Sequence, residues 1–284
     1  GKLVERILTF RKMGVSFAND LIPLADARLE ELKSFWIQRQ QHSTNNNGSR
    51  IAVFGDASSS MQRAIEAATI FASMVSVCLD AELSFFGSDL IESPHTRRPR
   101  NVREALRVCN TVQARGATSL AAALWPYYND KTTKNKMDMF IMVTDEEENT
   151  AKNGYMFADL LAKYRDEINP DIELVVVRVG RGDQRFQNSL RKHEIHHRTV
   201  IVDGERPDHA KFDALLGQIA LLTLHKTIPQ QVEEVEEQEE VEVEEDDSDT
   251  VLVVEDEEKE ETVVGVAAAK SSESKDGGEE FVLL

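Results

Sequence analysis

Asp56, Ser58 and Ser60 stand two residues apart in the run Gly55-Asp-Ala-Ser-Ser-Ser-Met61, directly after the apolar stretch Ile51 to Gly55. A carboxylate and two hydroxyls at this spacing can converge from one loop. They form an oxygen-only set of the kind hard cations take. About sixty residues on, Thr118 stands in Gly116-Ala-Thr-Ser119 at the start of a helical pattern, and Asp145 follows the apolar run Met139 to Val143. Mg²⁺ binds about six oxygens at about 2.0–2.1 Å and usually keeps some waters. Two carboxylates and three hydroxyls leave part of that shell open, and an acidic group of a partner can complete it. Each piece alone has an ordinary explanation, because Ser, Thr and Asp collect at helix N-caps. Their joint occurrence at strand ends points to a cation.

The elements that must position these residues are readable from periodicity. Ile51 to Gly55, Glu82 to Phe86, Met139 to Val143, Ile172 to Val179 and Arg198 to Val202 read as short apolar or β-branched strands. Met61 to Leu79, Val102 to Val112, Ser119 to Tyr128, Phe157 to Ile168 and Phe212 to Leu222 carry helical apolar spacing. Near-continuous apolar strands alternating with helices predict a doubly wound α/β fold. Its mostly parallel sheet is covered by helices on both faces. Such sheets bind ligands at the carboxyl ends of strands, near the point where the strand order reverses. Residues 11 to 39 read as a helical lead-in with Phe17, Leu21, Leu24, Leu29, Leu32 and Trp36 as its apolar stripe, and Gln40 to Arg50 as a polar linker. The predicted organisation is a lead-in and linker over 1–48, a metal-binding domain over 49–225, and an acidic tail over 226–284.

The formal net charge of −18 is not spread evenly. Residues 232–284 hold 22 acidic and 3 basic side chains, leaving 29 and 30 for residues 1–231. The body is electrically balanced and gives no bulk signal for nucleic acid. The Glu-rich, aromatic-poor tail is expected to be disordered. No apolar run approaches the roughly 18 residues of a membrane span, and no secretory leader pattern is read. Two cysteines, Cys78 and Cys109, are too few for a disulfide framework and suit a reducing compartment. The expected location is the cytoplasm, with the nucleus as a second site. Neither G-x-x-x-x-G-K-[ST] nor G-x-G-x-x-G occurs, which argues against a nucleotide enzyme.

The pattern resembles the metal-ion-dependent adhesion site of von Willebrand factor A domains over essentially all of residues 49 to 225. More narrowly, it resembles the C-terminal half of the Ro ribonucleoprotein (TROVE) family. The residues that carry the likeness are GDASSSMQ (55–62), ARGATSLAAALW (114–125), MFIMVTDEEENT (139–150) and LLAKYRDEINPDIELVVVRVG (160–180). LIPLADARLEEL (21–32) resembles the helix joining that family's two halves, and FDALLGQIALLT (212–223) its closing helix. The resemblance implies that Asp56, Ser58, Ser60, Thr118 and Asp145 hold Mg²⁺, or Mn²⁺ or Ca²⁺. Ala117 departs from the usual glycine before the threonine but removes no ligand. The family's RNA-binding helical repeats would lie N-terminal to these residues, so RNA enters by analogy only.

Other signals in the chain have plainer readings. Arg181-Gly-Asp183 matches the integrin-recognition tripeptide and reads more simply as a turn. His193, His196 and His197 lack a fixed further ligand for zinc and read as a solvated loop. Glu146, Glu147 and Glu148 read as shaping the field around the cation. Arg97, Arg98, Arg100, Arg103 and Arg107 form a basic run that reads as a solvated face, with RNA phosphates or an acidic partner as alternatives. Val251, Leu252, Val253 and Val254, flanked by acids, resemble a SUMO-interaction motif, whose physics is strand addition to a sheet edge. Phe281 to Leu284 is a weaker second case. The expected function is a non-enzymatic, metal-dependent protein-interaction domain of a Ro-like ribonucleoprotein. The alternatives are an adaptor in an unrelated assembly, with the tail as recruitment arm, and a metal-assisted hydrolase. The hydrolase lacks a second metal set and a general base.

Overall fold

The computed structural model describes residues 2–41, 50–91, 98–130 and 136–202. The chain divides into two units, Gly1–Val232 and Glu233–Leu284, and all described residues fall in the first. The predicted helix over Phe212 to Leu222, the acidic tail with Val251 to Val254, and Arg97 lie outside the described residues.

Two strands are buried along their whole length: β1 (Ile51–Asp56) and β4 (Met139–Thr144). They pair in parallel at the centre of a six-stranded sheet. β2 (Glu82–Phe86) flanks β1 on its other side and pairs antiparallel with the short β3 (Leu90–Ile91). β5 (Glu173–Val179) and β6 (His197–Val202) extend the sheet in parallel beyond β4. The strand order is β3-β2-β1-β4-β5-β6. It runs outward in opposite directions from the β1–β4 pair, so the reversal point lies between the two strands that carry Asp56 and Asp145.

Because side chains alternate along a strand, each central strand feeds two cores. Ile51, Val53, Ile141, Val143, Val175 and Val177 pack on one face. That face is covered by α1 (Lys2–Lys12), α2 (Ile22–Gln41), α3 (Ile65–Leu79) and α4 (Val102–Thr111). Ala52, Phe54, Phe140, Met142, Leu174 and Val176 pack on the other, beneath α5 (Leu120–Asn129), α6 (Phe157–Glu167) and α7 (Gln184–Lys192). Gly55 is required by this packing: a Cβ there would sit 2.3 Å from Cε1 of Phe85, its register partner on β2.

The helical lead-in is not one continuous helix. Gly14, at φ +70°, breaks it between α1 and a 3-10 turn over Ser16–Leu21. Part of the predicted stripe holds: Leu29 and Trp36 are buried, and Leu21 and Leu32 pack against the core. Phe17 and Leu24 are 51% and 61% exposed, and the buried line is Ile22, Ala25, Leu29 and Trp36. At the start of α2, Ile22 and Ala25 take the inward positions in place of Phe17 and Leu24. Asp26 fastens α2 to α4 by accepting the Val102 N–H at 2.8 Å. β3 and α7 are two elements the periodicity did not disclose. A 3-10 turn, Ser59–Arg63, replaces the first part of the helix expected from Met61.

Candidate functional site

β1 delivers Asp56 to the sheet edge fully buried. Its Oδ1 accepts the Ser58 N–H at 2.9 Å, and its Oδ2 accepts the Thr144 hydroxyl at 2.6 Å. Burial pushes the Asp56 carboxyl up to about 6; the bonds from Ser58 and Thr144 oppose the rise, and the negative charge of Asp145 adds to it. Asp56 and Asp145 thus stand at the ends of adjacent strands, near enough for the charge of one to act on the other. Ser58 Oγ lies 3.0 Å from Ser60 Oγ. Ser58 is buried and Ser60 exposed, so this hydroxyl pair leads from the buried carboxylate to the surface.

Thr118 is brought to the same edge by its backbone surroundings. The Arg115 N–H donates to Ala57 O at 2.8 Å, and the Ser59 N–H donates to Gly116 O at 3.0 Å. The loop after β4 closes from the other side: Thr118 donates its N–H to Asn149 Oδ1 at 3.0 Å and accepts the Asn149 and Thr150 N–H groups at 3.1 and 2.9 Å. The Asp56–Ser60, Gly116–Thr118 and Asp145–Thr150 segments are thus stitched into one rim. Asp145 is half-buried and accepts the Glu147 N–H at 3.1 Å. Asp56, Ser58, Ser60, Thr118 and Asp145 all stand on this rim.

The three glutamates after Asp145 behave differently from a shared field around the site. Glu147 alone is exposed. Glu146 turns inward at φ +68° and is fully buried. Gln187 Nε2 donates to its Oε1 at 2.7 Å and the Asp183 N–H to its Oε2 at 3.3 Å, while Arg178 Nη1 lies 4.0 Å away. Glu148 caps two helices at once, accepting the Ala121 N–H at the start of α5 (3.1 Å) and the Phe157 N–H at the start of α6 (2.9 Å). Burial pushes the Glu148 carboxyl up to about 7, against the pull of these backbone bonds. Two of the three acids therefore serve backbone N–H groups, because the loop between β4 and α6 passes over unsatisfied helix ends. Sequence reasoning missed Thr144, Glu146, Glu148 and Asn149 as positioning groups. The run from Thr144 to Thr150 was the available signal.

The secondary motifs are absorbed by the fold. Asp183 is the N-cap of α7, accepting the Arg185 N–H at 2.8 Å. Gly182, at φ +75°, leaves no room for a Cβ, which would meet Arg178 Cδ at 2.3 Å and Glu146 Oε2 at 2.6 Å. His193 Nε2 pairs with Asp159 Oδ1 at 2.8 Å, and His197 Nε2 with Gln187 Oε1 at 2.9 Å, so the two rings serve different partners. Among the described residues, no three His, Cys, Asp or Glu side chains are grouped to hold a metal, which leaves the zinc idea without support. Arg98 pairs with Glu82 at 3.0 Å. Cys78 and Cys109 are free, and burial pushes the Cys109 thiol up to about 11, so it carries no thiolate at neutral pH. Among the described residues, no helix is long and apolar enough to cross a membrane.

No protein-family model and no curated protein matches the chain. Among solved structures, it is similar to a von Willebrand factor type A protein from Catenulispora acidiphila, with 14% identity and a TM-score of 0.43 over 63% of this chain and 43% of that one. It is similar to the Ro (RSR) protein of Deinococcus radiodurans, with 15% identity and a TM-score of 0.40 over 61% of this chain and 35% of that one. It is also similar to the von Willebrand factor domain of the type V pili tip protein Mfa5 from Porphyromonas gingivalis, with 10% identity and a TM-score of 0.40 over 65% and 98%. The chain spans less than half the length of the first two. The likeness is one of fold: von Willebrand factor A-type structures, a Ro protein among them.

Proposed function

We propose that this domain holds one divalent cation between the Asp56, Thr118 and Asp145 loops and presents it to an acidic group on a partner protein. The observation that carries the reading is the pair of carboxylates from adjacent strand ends, one of them fully buried and raised further by the charge of the other. A buried carboxylate beside a like charge is costly unless something positive joins it. Asp56 and Asp145 would supply charge, and Ser58, Ser60 and Thr118 neutral hydroxyl oxygens. This hard set suits Mg²⁺ first, with Mn²⁺ or Ca²⁺ as substitutes. Bound there, the cation would supply a coordination position for a partner's carboxylate oxygen.

The chemistry proposed is one of recognition rather than reaction. The setting we propose is a Ro-like ribonucleoprotein, on the resemblance of the motifs at 55–62, 114–125, 139–150 and 160–180. Calorimetric titration with MgCl₂ and MnCl₂ tests the reading. Wild type is expected to bind one equivalent, and Asp56→Ala none, with an unchanged circular dichroism spectrum. Equal affinity in both proteins refutes the site. A pull-down with and without chelator then tests whether partner capture follows the cation.

A further inference from the structure

Glu146 is an unusual occupant of its position. A non-glycine residue at φ +68° is disfavoured, and a fully buried carboxylate is costly unless well satisfied. Both features occur in the residue next to Asp145. The backbone N–H of Glu146 donates to Thr144 Oγ1 at 3.0 Å, and that hydroxyl donates to Asp56 Oδ2 at 2.6 Å. Its side chain receives Gln187 Nε2 at 2.7 Å, and Gln187 Oε1 in turn meets His197 Nε2 at 2.9 Å. A continuous line of hydrogen bonds therefore runs from Asp56 through Thr144, Glu146 and Gln187 to the start of β6. The second carboxylate oxygen holds the Asp183 N–H, at the corner that leads into α7. Gly182 is stripped of a side chain at that corner, where a Cβ would lie 2.6 Å from Glu146 Oε2.

We infer that Glu146 is a positioning residue for the cation site, tying the Asp145 loop to the β5–α7 corner so that cation binding and ordering of residues 182–187 are one equilibrium. This inference rests on the cation reading above. Groups that orient metal ligands from outside the coordination shell typically change affinity by about 10–100-fold when removed. The side chain of Gln187 bonds to Glu146 and to His197, neither of them among the five rim residues, and Glu146 is the one that stands next to Asp145. By linkage, whatever the corner does to cation affinity the cation does to the corner.

The test is calorimetry with MgCl₂ on the full chain, together with hydrogen–deuterium exchange of the amides of residues 182–187 with and without Mg²⁺. For wild type, Mg²⁺ is expected to slow exchange at Asp183. Gln187→Ala is expected to bind Mg²⁺ about 10-fold more weakly and to lose that protection; Glu146→Ala is expected to do so more strongly. If Glu146→Ala does not fold, Gln187→Ala decides. Wild-type affinity in Gln187→Ala, or Asp183 exchange that ignores Mg²⁺ in a wild type that binds it, overturns the inference alone. A wild type that binds no cation overturns the cation reading and this inference with it.

Discussion

Asp56→Asn is expected to stabilise the cation-free protein while removing its cation affinity. The ordinary carboxyl value of 3.8 is raised to about 6 in the fold, chiefly by burial. At about 1.4 kcal/mol per tenfold change, the ionised form carries a cost of about 3 kcal/mol. The folded value lies above the unfolded one. The corresponding stability is therefore fully present below pH 3.8 and is lost as pH rises through about 6. At pH 7.5 wild type bears the whole cost, and an amide bears none. Against this stands one hydrogen bond. The Thr144 hydroxyl donates to Oδ2 while accepting the Glu146 N–H, and an amide nitrogen in that place makes the hydroxyl reorganise, at about 1 kcal/mol. The net gain is about 2 kcal/mol, or about 4–8 °C in Tm for a domain of this size. Urea and thermal unfolding in chelator at pH 7.5 and pH 4 measure it. The variant should be the more stable at pH 7.5 and lose its advantage at pH 4. Added Mg²⁺ should raise the wild-type Tm and leave that of the variant unmoved. An Asp56→Asn protein that melts below wild type in chelator at pH 7.5 refutes the argument that burial makes this carboxylate costly.

Gly55→Ala places a Cβ 2.3 Å from Cε1 of the buried Phe85 ring, so it is expected to cost about 1–3 kcal/mol in urea unfolding. An unchanged midpoint would mean that the ring moves freely. Glu148→Gln should change the pH profile of stability. Wild type loses up to about 3 kcal/mol relative to the variant as pH rises from 4.5 through about 7, because the folded carboxyl value exceeds the unfolded one. A wild-type-minus-variant difference that is flat across pH 4–8 would contradict this assignment.

The central strands were legible because they are dry on both faces: Ile51 to Gly55 and Met139 to Val143 are unbroken apolar runs. Once those two strands are adjacent and parallel, Asp56 and Asp145 must share an edge. What stayed hidden depends on tertiary surroundings. α7 has only Phe186 and Leu190 buried in an otherwise polar stretch, too little for a periodicity. The face that α2 buries was set by the helices beneath it, with Leu24 displaced outward and Ala25 inward. Nothing local announces that Glu146 adopts a positive φ or that Glu148 reaches two helix starts. Both follow from the path of the loop between β4 and α6.

The Arg181-Gly-Asp183 tripeptide shows what such commitments exclude. An adhesive loop of this composition must hold its acid out to a receptor, yet here the acid is already engaged by the first turn of α7 and its glycine is wedged against Glu146. A receptor seeking Asp183 would have to uncap the helix, forfeiting about 1 kcal/mol before any contact formed. A string match that looks like a docking signal is, in three dimensions, a joint in the scaffold.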